Sequence, residues 1–239
     1  MKQDYAKCLL EKTKTDYNQI AEEFSNTRRH IWDEIKFLFE EYIRPNDIVL
    51  DLGCGNGRYL PLIKEKAGKY FGVDNSGELI GLAKNRYPGE NFQTADALEL
   101  PFEDNFFDKI YCLAVLHHIP SEELRLKFFQ EAKRVLKPGG ILILTVWKLK
   151  SKNGLDLTFE LYLILKYILG KFILGSQLDY RDIFEWWGKK IKRYYHCFSQ
   201  RELISLARKD NFDIVKSGII KNSRGNRNNI YLVVKKRGN

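Results

Sequence analysis

Two aspartates and an alternating glycine run stand at intervals that suit the binding of a nucleotide. The apolar run Ile48-Val49-Leu50-Asp51-Leu52 is followed by glycines at 53, 55 and 57 and then by a segment of helical character. Glycine lets the main chain turn sharply and lets a ligand approach it closely, while the N–H groups at a helix start favour a polar or anionic group. Asp74 ends the next apolar run, 23 residues after Asp51. An acid there can accept hydrogen bonds from two ribose hydroxyls of a nucleotide lying across the glycine loop. Asp96-Ala97 ends a third run, where a carboxylate can accept from an adenine amino group and the backbone of Ala97 can read the ring. Taken singly, each of these is also an ordinary turn.

Such residues need strands that end together and helices that cover them. Hydrophobic spacing predicts helices over 4–24 and 29–42, then alternating strands and helices: strand 48–52, helix 59–67, strand 69–74, helix 76–87, strand 91–95, strand 107–113, helix 121–136 and strand 141–147. Alternation of this kind means a mostly parallel sheet with both faces covered. Residues 148–192 show no clear strand and read as a helical insertion. Ser199 opens a further helix with Glu202 in a capping-box pattern, and 212–219 and 229–234 read as two strands that pair antiparallel at a sheet edge. The expected organisation is one domain: an N-terminal helical cap (1–44), a cofactor-binding core (45–147), the insertion (148–192), and a C-terminal helix and strand pair (193–239).

The chain has 239 residues, enough for one good core. Its net charge of +9 is unevenly placed: residues 148–239 carry 20 Lys+Arg against 8 Asp+Glu, and residues 1–147 carry 20 against 23. The basic C-terminal part favours a polyanionic partner. Cys8, Cys54, Cys112 and Cys197 are far apart, so reduced thiols in a cytoplasmic protein are expected. The polar N-terminus does not read as a signal peptide, and charges interrupt the apolar stretch 155–175, so no membrane span is expected. His117-His118 has no carboxylate–histidine spacing, which leaves packing, pocket lining or a general base; no metal is expected.

Five separated elements occur in order: DLGCGNG, VDNS, TADALELPFEDNFFD, LAVLHHI and LKPGGILIL. Together they resemble the class I S-adenosylmethionine-dependent methyltransferases over about residues 45–147. The resemblance implies a Rossmann-like α/β fold with a seven-stranded, mostly parallel sheet, helices on both faces and an antiparallel edge strand. It implies S-adenosyl-L-methionine as cofactor, with Asp51 and Gly53 bordering the methionine portion and Gly55 allowing close approach. Asp74 with Asn75 would hold the ribose, Asp96 with Ala97 the adenine, and Leu113 and Ala114 would lie beneath the sulfonium.

The outer segments carry a narrower resemblance. Tyr17-Asn18-Gln19-Ile20-Ala21 with Phe24-Ser25-Asn26-Thr27-Arg28, Trp147, and Arg193-Tyr194-Tyr195-His196-Cys197-Phe198 resemble the tRNA wobble-uridine methyltransferases. Those enzymes esterify the carboxylate of 5-carboxymethyluridine and often need a small activating protein subunit. The resemblance makes tRNA the expected partner and puts Arg28, Arg193, Tyr194 and His196 on the catalytic side. Either guanidinium can hold a carboxylate in fixed geometry, and Tyr194, Tyr195 or Trp147 can stack a uracil. The apolar insertion at about 150–175 does not match those enzymes. It supports a rival reading, methylation of a small or lipid-like metabolite as in quinone biosynthesis; a non-catalytic cofactor-binding protein is the third reading.

Overall fold

The computed structural model describes residues 1–28, 30–148, 156–221 and 228–238, and for 156–160 the backbone alone. Its helices are α1 (Gln3–Gln19), α2 (Ala21–Thr27), α3 (Lys36–Tyr42), α4 (Leu60–Lys64), α5 (Gly77–Arg86), α6 (Glu122–Val135), α7 (Asp156–Phe172) and α8 (Gln200–Lys209). The strands are β1 (Ile48–Leu52), β2 (Lys69–Asp74), β3 (Asn91–Thr94), β4 (Phe107–Leu113), β5 (Leu136–Lys148), β6 (Asp182–Trp187), β7 (Ile191–His196), β8 (Phe212–Lys221) and β9 (Asn228–Lys236). Seven of them form one sheet in the order β3-β2-β1-β4-β5-β9-β8. The first five run parallel, β9 runs antiparallel to β5, and β8 pairs antiparallel with β9 at the edge.

The period of two along each strand sorts the core onto two faces. Ile110 and Cys112 of β4, with Leu142, Leu144 and Val146 of β5, meet Phe128, Phe129 and Ala132 of α6 and Leu203 and Leu206 of α8. Tyr111 and Leu113, with Ile143, turn the other way onto Leu38 and Phe39 of α3 and Ile63, Ile80 and Ala83. Both faces are therefore filled, as the near-continuous apolar runs of β1 and β4 require.

Helix starts follow their caps. The hydroxyls of Ser76, Ser121 and Ser199 accept from the N–H of Leu79, Leu124 and Glu202. Glu202 does not complete a capping box, however: its carboxylate lies 2.7 Å from Nε2 of His196. The single N-terminal helix expected over 4–24 breaks at Ile20 into α1 and α2, and the second expected helix is reduced to a 3-10 turn (Asp33–Ile35) and α3; Arg29, its expected first residue, lies outside the described residues.

The region expected to lack strands contains a hairpin. β6 and β7 pair antiparallel with Asp182 opposite His196 and Glu185 opposite Arg193, apart from the main sheet. Its cause is visible in retrospect: Trp186 and Trp187 favour a pleated surface, and Gly188, at φ +58°, starts the turn. Of the insertion, residues 149–155 lie outside the described residues, as does the basic loop 222–227 between β8 and β9.

Gly53 shows how tightly the loop after β1 is built. It sits at φ +78°, and a Cβ there would lie 2.2 Å from Cγ2 of Val115. Gly53→Ala combines left-handed strain with overpacking and should cost about 2–4 kcal/mol, read as a lower urea midpoint; an unchanged midpoint would refute this packing.

Candidate active site

The carboxyl ends of β1, β2 and β4 open into a cavity of about 1110 Å³ lined by Gly53, Gly55, Asp74, Asn75, Asp96, Ala97, Leu113 and Ala114. The loop after β1 is pulled toward β2 by Gly53 and Cys54, whose N–H groups donate to the carbonyl of Val73 at 2.7 and 2.9 Å. Gly55 donates to Oδ2 of Asp74 at 2.9 Å, and Ser76 donates to Oδ1 at 2.9 Å. A carboxylate has about four acceptor positions, so Asp74 keeps capacity for two hydroxyls from the cavity. A Cβ on Gly55 would meet nothing nearer than Phe24 Cε1 at 4.0 Å, so the main chain here stands open to a ligand. Ala114, at the end of β4, is held at φ +62° with its N–H on the carbonyl and hydroxyl of Thr145. Non-glycine residues rarely occupy that region, and such strain clusters at functional sites.

The cavity's roof comes from distant parts of the chain. Tyr17 of α1, Phe24 of α2, Arg28 and Trp147 all line it. Asn56 of the glycine loop donates to the Ser25 hydroxyl at 2.9 Å, tying α2 down. Lys190 pairs with Glu23 at 2.8 Å, and Lys12 donates to the carbonyl of Lys192 at 2.8 Å, so the β6–β7 hairpin rests on α1 and α2.

Side-chain alternation along β7 splits the Arg193–His196 segment. Arg193 and Tyr195 face α1 and the cavity roof. The Arg193 guanidinium lies 4.7 Å from the Trp187 ring centre, 5.2 Å from that of Tyr195 and 5.5 Å from that of Tyr17. It is 4% exposed, and its Nε has no hydrogen-bond partner among the described residues. Arg28 lies 5.6 Å from the same Trp187 ring. Tyr194 and His196 point the opposite way. The Tyr194 hydroxyl donates to Oδ1 of Asp182 at 2.7 Å, and His196 bridges Asp182 and Glu202 at 2.7 Å each. Neither residue lines the cavity, so the structure does not place these two expected catalytic residues at the site; they hold the hairpin instead. Arg193 does not line the cavity either but bonds to Tyr17, which does. Burial alone would push the Glu202 carboxyl up, but its contact with His196 outweighs this and keeps it below the usual range.

Asp51 stands beneath the loop rather than in the cavity wall. It is buried and accepts from the Tyr70 hydroxyl at 3.1 Å. Burial pushes its carboxyl up to about 7, against the Tyr70 hydrogen bond and the nearby charge of Arg58. Arg58 and Tyr59, which the motif analysis passed over, line the cavity, and Arg58 Nη1 and the Tyr59 hydroxyl are buried without partners among the described residues. Their signal was present in the sequence, because they directly follow the glycine run. Among the described residues, helix α7 contributes nothing to this cavity.

Three roof residues are joined in series. Arg193 Nη1 donates to the Tyr17 hydroxyl at 2.9 Å, which lies 2.8 Å from Nε2 of His118, whose Nδ1 lies 3.0 Å from the Tyr194 carbonyl. A carbonyl only accepts, so His118 carries its proton on Nδ1 and takes the Tyr17 hydrogen on Nε2. Burial, reinforced by the Arg193 charge, drives the ring down to about 3. His117 is also driven well below its ordinary value by burial and then by His118. Both rings are neutral at pH 7, and His118 lines the cavity. Since the unfolded ring takes a proton near pH 6.5 and the folded ring only near 3, the His118 contribution is present above 6.5 and is lost as pH falls toward 3. Asp51 acts in the opposite direction, because its folded carboxyl takes a proton first, near 7. His118→Gln should therefore flatten the stability loss between pH 6.5 and 4 by about 1.4 kcal/mol per pH unit relative to the parent. Urea titrations at several pH values would show this; parallel curves would contradict it.

Comparison with known proteins agrees with this geometry. Residues 50–144 match the family model described as a methyltransferase domain. A tRNA (carboxymethyluridine(34)-5-O)-methyltransferase of Arabidopsis thaliana is 37% identical over 152 residues, covering 64% of this chain; the chain spans only 36% of that protein's length. An Encephalitozoon cuniculi protein whose name proposes a methyltransferase and gives no substrate is 32% identical over 206 residues, covering 84% of this chain and 87% of its own. In the solved complex between the Haloferax volcanii Trm112 methyltransferase activator and a methyltransferase, the matching chain superposes with a TM-score of 0.69 at 16% identity, covering 95% of this chain and 98% of that one. Sheet order, glycine loop and relatives agree: the chain belongs to the S-adenosylmethionine-dependent methyltransferases.

Proposed function

We propose that the chain transfers a methyl group from S-adenosylmethionine to the carboxylate of 5-carboxymethyluridine at the wobble position of tRNA. The observation that carries this reading is the pair of guanidiniums, Arg28 and Arg193, that share the Trp187 ring beside the cavity roof. A buried guanidinium with an unsatisfied Nε is matched by an anionic, planar acceptor group. The Arabidopsis relative acts on such a group by its name, and the exposed lysines of the hairpin, Lys189, Lys190 and Lys192, suit tRNA phosphates.

The residues at the carboxyl end of the sheet fit the cofactor. Asp74 with Asn75 takes the ribose hydroxyls, Asp96 with Ala97 the adenine, and Gly53 and Gly55 admit the methionine portion. The unpartnered Arg58 Nη1 is the group for its carboxylate, with Asp51 supporting the loop from below. Leu113 and Ala114 floor the reacting end. When bound, the cofactor supplies a methyl on a positively charged sulfur, which a carboxylate oxygen takes in line while the bonding pair stays with sulfur. A carboxylate is already a nucleophile, so what the protein contributes is position and exclusion of water. Arg28 and Arg193 orient the carboxylate, and Trp147, lining the cavity and stacked at 4.9 Å on Tyr195, offers its face to the uracil. Neutral His118 keeps Tyr17 and Arg193 in place and takes no proton from the acceptor.

A small activating subunit, as in the Haloferax complex, and a cytoplasmic location belong to the same proposal. Among the described residues no helix is long and apolar enough to cross a membrane.

The test is transfer of labelled methyl to tRNA carrying carboxymethyluridine, with the activator supplied, followed by mild alkali. Alkali-labile label supports an ester on tRNA; alkali-stable label, or label only in a lipid extract, refutes it. Asp74→Ala should weaken S-adenosylhomocysteine binding about 100-fold or more in calorimetry, from the loss of two hydrogen bonds to a charged group. Arg193→Lys should leave that binding within about twofold and cut transfer by about tenfold or more, because one ammonium does not reproduce a planar fork. Equal loss of both would place Arg193 in the cofactor site instead.

A further inference from the structure

Beside the glycine loop a buried cation is held by rings rather than by an acid. Arg58 is 9% exposed, and its Nη1 has no hydrogen-bond partner among the described residues. Its guanidinium carbon lies 4.5 Å from the ring centre of Tyr59 and 4.9 Å from that of Trp32, both within cation–π range. All three residues line the cavity. Tyr59 is buried at the start of α4, 5.7 Å from Phe39 of α3. Trp32 arrives from a different part of the chain: it precedes the 3-10 turn Asp33–Ile35, which the buried Ile35 anchors. The other arginine of the cavity, Arg28, stands on Phe24 and Trp187 instead, at 5.2 and 5.6 Å.

An arginine side chain is long, and fixing it in one place costs rotamer entropy. A ring that attracts the cation through its face removes part of that cost before any ligand arrives, and it leaves the N–H groups unused. A carboxylate in the place of Trp32 would hold the cation too, but it would occupy the same N–H fork and neutralise the charge. Trp32 therefore does for Arg58 what an ion pair cannot: it orients the guanidinium and keeps its donors for an anion.

We propose that Trp32 is a positioning residue for cofactor selection: it holds Arg58 toward the carboxylate of the bound cofactor, so that the site prefers ligands with an amino-acid end over nucleosides that lack one. This rests on Arg58 receiving the methionine carboxylate, as proposed for the cofactor, and is independent of the methyl acceptor. Calorimetry of the full chain compares S-adenosylhomocysteine with 5′-methylthioadenosine, which keeps the adenosine and the sulfur but has a methyl in place of the amino-acid chain. The parent should prefer S-adenosylhomocysteine by about tenfold or more. Trp32→Leu should weaken S-adenosylhomocysteine about fivefold and leave methylthioadenosine within about twofold, which also certifies the fold. Trp32→Phe should recover part of the loss. Arg58→Met should remove most of the preference, and adding Trp32→Leu to it should change nothing further, because Trp32 acts through Arg58. Equal losses for both ligands in Trp32→Leu, additive losses in the double variant, or a Trp32→Phe chain as weak as Trp32→Leu would overturn the proposal. A loss in Arg58→Met with none in Trp32→Leu would overturn the role of Trp32 alone. Full S-adenosylhomocysteine affinity in Arg58→Met would overturn the assignment of Arg58 and the proposal with it.

Discussion

The buried carboxylate of Asp182 fixes the geometry of the upper half of this protein. One of its oxygens takes the Tyr194 hydroxyl and His196 Nδ1, and the other takes the Asp179 N–H at 2.9 Å. Those bonds claim every second side chain of β7. Successive residues of a strand face opposite sides, so committing Tyr194 and His196 to Asp182 commits Arg193 and Tyr195 to the cavity roof. A slip of one residue would exchange the two sets, taking Tyr194 and His196 off Asp182 and the Arg193 guanidinium off the Trp187 ring.

From that orientation the roof assembles by satisfaction of donors and acceptors. Arg193 reaches Tyr17, Tyr17 reaches His118, and His118 reaches back to the Tyr194 carbonyl, so β7, α1 and the turn after β4 share one chain of hydrogen bonds. The floor is organised separately, by Asp74 holding the glycine loop through Gly55. Floor and roof meet where Asn56 grips Ser25 and where Asn18 accepts from the Ser76 hydroxyl at 2.7 Å. The floor is thus built by the parallel sheet, and the roof by segments drawn from both ends of the sequence.

This division explains what was legible in the sequence. The floor was readable because its residues lie within a few positions of strand ends that hydrophobic periodicity already marks: Asp74 closes β2 and Asp96 follows β3. The Ser199 cap was readable for the same local reason. The roof was harder. β6 and β7 carry charged and aromatic residues on both faces, so no simple alternation announces them. The Arg193–His196 motif marks a segment that lies beside the roof, yet motif alone cannot say which of its residues face inward; that depends on Asp182, eleven residues earlier than Arg193 and paired across a hairpin. Tyr17 belongs to the N-terminal motif, but its place as the link between Arg193 and His118 depends on residues 176 and 101 positions away. Arg58 and Tyr59 followed the glycine run in plain view, but only their burial without partners drew attention to them.

The central functional claim is that Arg193, oriented by this hairpin, recognises a carboxylate. Its most direct test is binding of anticodon stem-loops that differ only at the wobble base, carrying carboxymethyluridine or its methyl ester, to the parent chain and to Arg193→Met in the presence of S-adenosylhomocysteine. The expected result is that the parent prefers the carboxylate form by about tenfold or more, the strength of a charge-assisted hydrogen bond, and that Arg193→Met loses most of that preference, keeping only the share that Arg28 supplies. Equal affinities in the parent, or a preference undiminished by the substitution, would contradict it.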